Sequence, residues 1–341
     1  MMAFVTRAET SRPTLRWRRP PVEVFGPYDV REEIGRGGRA SVHHASERHA
    51  ERLGLGRPLT LERLRPQFAS DWQLVTAFMH EAHLASQLRH PHIARTHAYG
   101  RIDGTYYAAT ELVAGPTLEQ IMQQSRTAAG AIPLPVVVEL LIQICDALDY
   151  IHNQAVRIVH RDVSPANLVL ARSGELKLMD FGVAKTASGR APTHDGVIKG
   201  TLGYAAPEYT DGRLDARSDL FSVGVIAHEL LVGKTLFSGN YAAARWRVRE
   251  KPIQPPSRWN PDISRDLDDI VLTALQRDVS LRWQNAAAMR FALRAVARAL
   301  GGHGARQVVD WTAWAFERAP RDSSKVRRLV DALELDLRAA G

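Results

Sequence analysis

The run His160-Arg161-Asp162-Val163-Ser164-Pro165-Ala166-Asn167 sets an aspartate and an amide five residues apart on one loop, between short apolar stretches. Thirteen residues after Asn167 comes Asp180-Phe181-Gly182. Moving the terminal phosphoryl group of ATP onto a hydroxyl needs one carboxylate near the attacking oxygen. It also needs oxygen ligands for a Mg²⁺ ion that bridges the phosphates. Asp162 supplies the first, and Asn167 with Asp180 the second. These three are the candidate catalytic residues, and Asn167 and Asp180 the candidate metal ligands.

The elements on either side differ in period. Residues 28–33, 41–45, 58–64, 93–99 and 106–111 read as short strands, interrupted by one helix over 72–88, where Leu74, Phe78, Glu81, Ala82 and Ala85 recur at spacings of three and four. From Leu118 onward the spacing is mostly helical, at 136–151, 220–231 and 267–275, with short apolar pieces at 158–159, 168–170 and 176–179. A small α+β lobe followed by a mostly helical one results. The polar, turn-rich stretch 186–200 is expected to be mobile.

Further motifs follow in order: Gly200-Thr201-Leu202-Gly203-Tyr204-Ala205-Ala206-Pro207-Glu208, then Asp219 in Ser-Asp-Leu-Phe-Ser-Val-Gly, then Arg282. With them the chain resembles the eukaryotic-like serine/threonine protein kinases of bacteria, over roughly four-fifths of its length. The resemblance implies an α+β, bilobal protein-kinase fold, with a small mainly β N-lobe carrying one helix (28–112) and a larger mainly α C-lobe (113–300). Residues 1–27 are expected to be a basic, flexible extension and 301–341 a helical C-terminal extension. In the family, the counterpart of Asp219 holds the catalytic-loop backbone, and that of Arg282 pairs with the carboxylate of the Pro-Glu segment, here Glu208.

The same resemblance assigns the nucleotide site. Ile34-Gly35-Arg36-Gly37-Gly38-Arg39-Ala40-Ser41-Val42 is similar to the glycine-rich loop over the phosphates, where missing side chains let backbone amides approach oxyanions, although Ala40 replaces its third glycine. Val42 would roof the adenine, Thr110 would be the gatekeeper, and backbone groups of Glu111 and Val113 would meet the adenine edge.

One position breaks the pattern. Leu59-Thr60-Leu61-Glu62-Arg63-Leu64 corresponds to the family's Val-Ala-Ile-Lys strand, and Glu62 stands at the lysine. Arg63 falls on the opposite face of a strand. The first lysine of the whole chain is Lys177, so no small-lobe lysine can substitute. His44, of the same parity as Val42, and Arg36 at the loop tip are the candidate surrogates, each weighed against a packing or solvated role. Glu81 matches the helix glutamate that pairs with that lysine, so Glu62 and Glu81 would meet as like charges unless one is protonated or the helix swings out. A negative charge about 4 Å from an ATP phosphate costs roughly 4 kcal/mol at an effective dielectric near 20. Ser164 likewise replaces a lysine that most members carry, although some bacterial relatives have serine there.

Composition excludes several alternatives. The chain of 341 residues is 45% apolar and 24% charged, a globular balance. Its net charge of +8 comes mainly from dispersed arginines without an aromatic-basic stripe, so no nucleic acid is expected. The basic start, with Arg7, Arg12, Arg16, Arg18 and Arg19, is followed by no apolar run fit for a signal peptide. No stretch reads as a membrane span, so the expected location is cytoplasmic. Cys145 is the only cysteine and lies in an apolar run, as a packing residue would. His80, His83 and His152 suggest no metal site.

Past the break at 301–304 two more helices are expected, the second capped by Ser323 or Ser324 with Val326, Leu329, Val330, Leu333 and Leu337 on one face. They pack on the domain or mediate a protein contact. Arg161 resembles the arginine that pairs with an activation-loop phosphate, with Thr186, Ser188 and Thr193 as candidate acceptors and Thr201 near the substrate pocket. Two functions stay open: an ATP- and Mg²⁺-dependent serine/threonine protein kinase acting on a protein substrate, weakened by Glu62, or a pseudokinase whose pocket is read by a signalling partner.

Overall fold

A computed structural model describes residues 22–36, 38–48, 58–180, 201–239, 241–302 and 304–317. The small lobe is a six-stranded antiparallel sheet in the order β1-β2-β3-β4-β6-β5. Its strands are β1 (Glu23–Phe25), β2 (Tyr28–Arg36), β3 (Ala40–Glu47), β4 (Pro58–Leu64), β5 (Thr96–Ile102) and β6 (Thr105–Glu111). Helix α1 (Trp72–Gln87) begins at Asp71, whose carboxylate accepts the N–H groups of Gln73 and Leu74, two donors that a helix start leaves unpaired. The face carrying Phe78 and Ala82 packs with Ala108 of β6, so the expected helix face is the one buried. On the sheet's other side Phe25, Tyr28, Val30, Ala45, Leu59, Leu61, Tyr107 and Ala109 form a separate core.

Two boundaries differ from expectation. Residues 23–25, placed in a flexible extension, pair with β2 in the register Glu23↔Val30, Val24↔Asp29, Phe25↔Tyr28, because Phe25 finds a buried place against Tyr107. Ile93, expected in a strand of the small lobe, instead bridges Leu178 of the large lobe.

The large lobe holds α2 (Leu118–Gln124), α3 (Leu134–His152), the hairpin of β7 (Leu168–Leu170) and β8 (Leu176–Leu178), α4 (Ala216–Val232), α5 (Tyr241–Glu250), α6 (Arg265–Ala274) and α7 (Ala286–Ala299). Helices α3 and α4 are buried on nearly every face and form the centre of one continuous core. Gly224 lets α4 approach α6, since a Cβ there would sit 2.8 Å from that of Ala274. Where the chain crosses between lobes, a Cβ on Gly115 would collide with the Leu170 carbonyl. Helix α8 (Gly304–Glu317), in the segment expected to be an extension, packs on α3 with Val308 and Ala315 buried, and the Gln124 amide donates to the Ala315 carbonyl at 3.0 Å. The second expected C-terminal helix lies outside the described residues.

Candidate active site

The loop after α3 is held by its backbone. Asp219, near the start of α4, accepts the N–H groups of His160 and Arg161 at 2.8 Å each, and its carboxylate also lies 2.8 Å from His152 Nε2. Asp219 is buried, so its charge is spent on these donors rather than on water. Arg161 adopts φ +67°, a left-handed conformation uncommon for a residue with a side chain and maintained by those contacts. Asp162, itself buried, follows. The Asn167 amide donates to its Oδ2 at 2.7 Å and its carbonyl at 2.9 Å. Loop and hairpin are then joined: Met179 N–H donates to the Asn167 carbonyl at 2.9 Å, and His160 Nε2 lies 3.1 Å from the Met179 carbonyl. These contacts bring Asp162 and Asn167 together one residue away from Asp180. Asp180 is also in the left-handed region, at φ +53°, and opens to solvent.

Glu62 lies on β4 opposite Val42 of β3 and Ala108 of β6, and cross-strand partners share a face. That face looks toward Asp180. Burial first, and then the Asp180 carboxylate, push the Glu62 carboxyl up to about 8. Asp180 is thus a like charge at Glu62 that the strand pattern did not point to, and Glu81, the like charge expected there, lies partly buried on α1. Of the two candidate surrogates, His44 has its Nδ1 3.7 Å from Glu32, and the side chain of Arg36 is outside the described residues. Lys177 is engaged elsewhere, its Nζ 2.6 Å from Glu111 Oε1. Arg63 faces the other way, as strand parity predicts, and forks the Glu23 carboxylate.

The remaining candidates line the rest of the cleft face. Gly35 pairs with Val42 across β2 and β3, next to Ile34, while Gly37 lies outside the described residues. A Cβ on Gly35 would make ordinary contact with Val42 at 3.6 Å, and one on Gly38 would meet nothing within 4 Å. Protein packing therefore does not require glycine here, and the room left by the missing side chains suits a ligand that approaches the backbone. Thr110 pairs with Thr60 on β4 and with Thr96 on β5; Thr60 Oγ1 donates to its carbonyl at 3.3 Å. Thr60 was not singled out from the sequence, although it lies two residues before Glu62 and so shares its face. Glu111 and Val113, where the chain leaves the small lobe, are partly buried. The oxygen donors Asn167 and Asp180 suit a hard divalent cation. Among the described residues no three His, Cys, Asp or Glu side chains form a separate metal cluster.

Glu208 meets Arg282 as expected, with guanidinium N–H groups donating at 2.8 and 3.1 Å. Tyr204 donates to the buried Glu229 at 2.9 Å. Phe181, Gly182, Thr186, Ser188 and Thr193 lie outside the described residues.

An antiparallel sheet with one helix above, a helical base below, and a loop holding Asp162 and Asn167 between them define the two-lobed phosphotransferases. The chain belongs to the protein kinase domain family, whose model matches residues 28–292. It is similar to the probable serine/threonine-protein kinase SCO3848 of Streptomyces coelicolor, at 38% identity over 84% of this chain and 44% of the relative. The tyrosine-protein kinase MasK of Myxococcus xanthus is 32% identical over 84% of this chain and 45% of its own. The serine/threonine-protein kinase PknB of Mycobacterium tuberculosis is 34% identical over 79% and 43%. The match thus spans less than half the length of these curated relatives. Among solved structures, the M. tuberculosis PknI kinase domain is similar with a TM-score of 0.61 and 27% identity, over 81% of this chain and 98% of that one. No helix among the described residues is long and apolar enough to cross a membrane.

Proposed function

We propose that the chain is a serine/threonine protein kinase domain that transfers the γ-phosphate of ATP to a protein hydroxyl, slowed by Glu62. The observation that supports this most is the Asn167–Asp162 hydrogen bond on a loop fixed by Asp219. The Asp162 carboxylate, oriented by that bond, is the acceptor for the proton of the substrate hydroxyl. Asn167 and Asp180 would hold Mg²⁺, which when bound would neutralise charge on the phosphates. Backbone amides around Gly35, Gly37 and Gly38 approach the phosphates, Ile34 and Val42 cover the base, and Thr110, Glu111 and Val113 meet its edge. Glu62 supplies a carboxyl where a cation would otherwise sit, and a lost electrostatic donor costs about 10²–10³-fold in rate. A protein substrate and a cytoplasmic, ATP-rich location belong to the same reading.

A second reading is favoured by Glu62 and Asp180 bearing on one another: a pseudokinase whose pocket state is read by a partner. Phosphate transfer by wild type, Glu62→Lys and Asp162→Ala, with identification of the phosphorylated amino acid, separates the two. Transfer by wild type that disappears in Asp162→Ala, on serine or threonine, is the expected result. Transfer by Glu62→Lys alone sinks it and leaves the pseudokinase. Thermal shifts with ATP, with and without Mg²⁺, show whether the pocket is used at all.

A further inference from the structure

The three residues before Asp180 are tied, one after another, to three separate parts of the molecule. Met179 joins the catalytic loop through the Asn167 carbonyl and His160. Leu178 donates its N–H to the His92 carbonyl and accepts from Ala94 N–H, at 3.0 Å each. Lys177 reaches across to the last residue of the small lobe's β6, with Nζ 2.6 Å from Glu111 Oε1. The Met179 and Leu178 ties run through backbone groups that most residues provide, whereas the Lys177 tie depends on two side-chain identities. Both are largely shielded, at 16% and 26% exposed, which makes the pair stronger than a surface one.

Glu111 is itself anchored. Its N–H donates to the Arg95 carbonyl at 2.8 Å, and the next N–H, of Leu112, donates to the Pro58 carbonyl at 3.2 Å. One end of the ion pair is therefore fixed in the sheet where the chain leaves the small lobe. The other end is three residues from Asp180. With acidic residues at both Glu62 and Glu81, this chain has no lysine–glutamate pair between β4 and α1. Lys177–Glu111 is an ion pair that does connect the two lobes beside the cleft.

We propose that Lys177 and Glu111 form a positioning pair that sets Asp180 at a fixed distance from Glu111–Val113, so that one nucleotide is held at its base and its metal-bound phosphates together. The proposal rests on the kinase reading for the ligand. A merely structural pair would weaken all ligands alike. A positioning pair weakens those that span both ends and spares those that touch one.

The test uses the full chain carrying Asp162→Ala to stop turnover, with dissociation constants for adenosine and for ATP with Mg²⁺ measured by calorimetry. In Lys177→Met the loss for MgATP is expected to exceed the loss for adenosine at least threefold. Lys177→Arg should stay within twofold of the parent, and the exchange Lys177→Glu with Glu111→Lys should bind MgATP better than Lys177→Glu alone. A ratio below threefold, or no recovery in the exchange, overturns the proposal. If the parent binds no nucleotide, the kinase reading fails separately. Amide exchange at Leu178 and Met179 in the free protein then decides: at least tenfold faster in Lys177→Met upholds the tether, and a smaller change refutes it.

Discussion

Arg282 grips Glu208 from the far side of the large lobe, donating two guanidinium N–H groups to the two carboxylate oxygens while its other donors reach the carbonyls of Gln276, Arg217 and Arg277. The arginine side chain is fully buried and lies over the Phe221 ring, 5.1 Å from its centroid. Burial alone would raise the Glu208 carboxyl; Arg282 and Ser218 outweigh it and hold it below the usual range. The segment ending in Pro207-Glu208 is thereby pinned to α4 and to the loop before α7.

Removing the arginine leaves a shielded carboxylate with only the Ser218 hydroxyl and its own backbone N–H as donors, and breaking a buried pair from one side costs about 3–5 kcal/mol. Arg282→Met is expected to lower the Tm by on the order of 5–10 °C. Arg282→Lys should recover little, because one ammonium cannot satisfy acceptors spread over a planar fork. Calorimetric or fluorescence melting decides. A Tm within about 2 °C of wild type in Arg282→Met would show that the pair is not holding the segment.

Glu62 makes stability depend on pH in a stated direction. Its folded value of about 8 lies above its ordinary value of 4.5, so the folded state holds the proton more tightly. The contribution is complete below pH 4.5 and is lost as pH rises toward 8. In buffer free of divalent cations, Glu62→Gln should therefore be the more stable protein at pH 8, by on the order of 4 kcal/mol, with the difference closing near pH 4.5. Urea unfolding of both proteins across that range measures it. Parallel curves would mean that Glu62 keeps its charge in the fold.

What the sequence discloses here depends on how far apart the partners are. Asp162 and Asn167 lie within one loop, so their spacing discloses that they are near one another, although not the hydrogen bond between them. Strand parity put Glu62 and Arg63 on opposite faces, and the register of β3, β4 and β6 agrees. Parity two residues earlier also carried Thr60, whose place beside Thr110 follows once β4 and β6 are paired. By contrast, Arg63 with Glu23 and Lys177 with Glu111 join residues far apart in the chain, and no local pattern selects those pairs. That Asp180 bears on Glu62 depends on how the two lobes sit, which strand periodicity does not encode.

His90 supplies a second pH window, of opposite sense. Burial first, then His92 and Arg290, hold its imidazole down to about 4, although Asp146 lies 3.4 Å away. Arg290 pairs with both Asp146 and Asp149, which leaves those carboxylates little to offer the ring. The neutral ring stacks on Tyr150 with centroids 4.9 Å apart. Stability from this site is complete above the ordinary histidine value of 6.5 and is lost as pH falls toward 4. His90→Gln should flatten that loss relative to wild type, by on the order of 3 kcal/mol between the two ends. Identical acid limbs in chemical unfolding would place the charge change at another group.

Strand β1 tests whether apolar burial or charge attaches the start of the domain. Arg63 forks Glu23 at 2.6 and 3.2 Å, and its guanidinium carbon sits 5.4 Å from the Phe25 ring centroid. Glu23, however, is 56% exposed, and pairs open to water contribute about 0–1 kcal/mol. Phe25 is buried and meets Tyr107 edge-on with centroids 5.7 Å apart, in the small lobe's separate core. Truncating such a ring costs about 3–5 kcal/mol, because the lost burial is joined by a cavity. Phe25→Ala is therefore expected to destabilise the protein by at least about three times as much as Glu23→Ala in urea unfolding. Equal effects would mean that Arg63 and Glu23, rather than Phe25, hold β1 in the sheet.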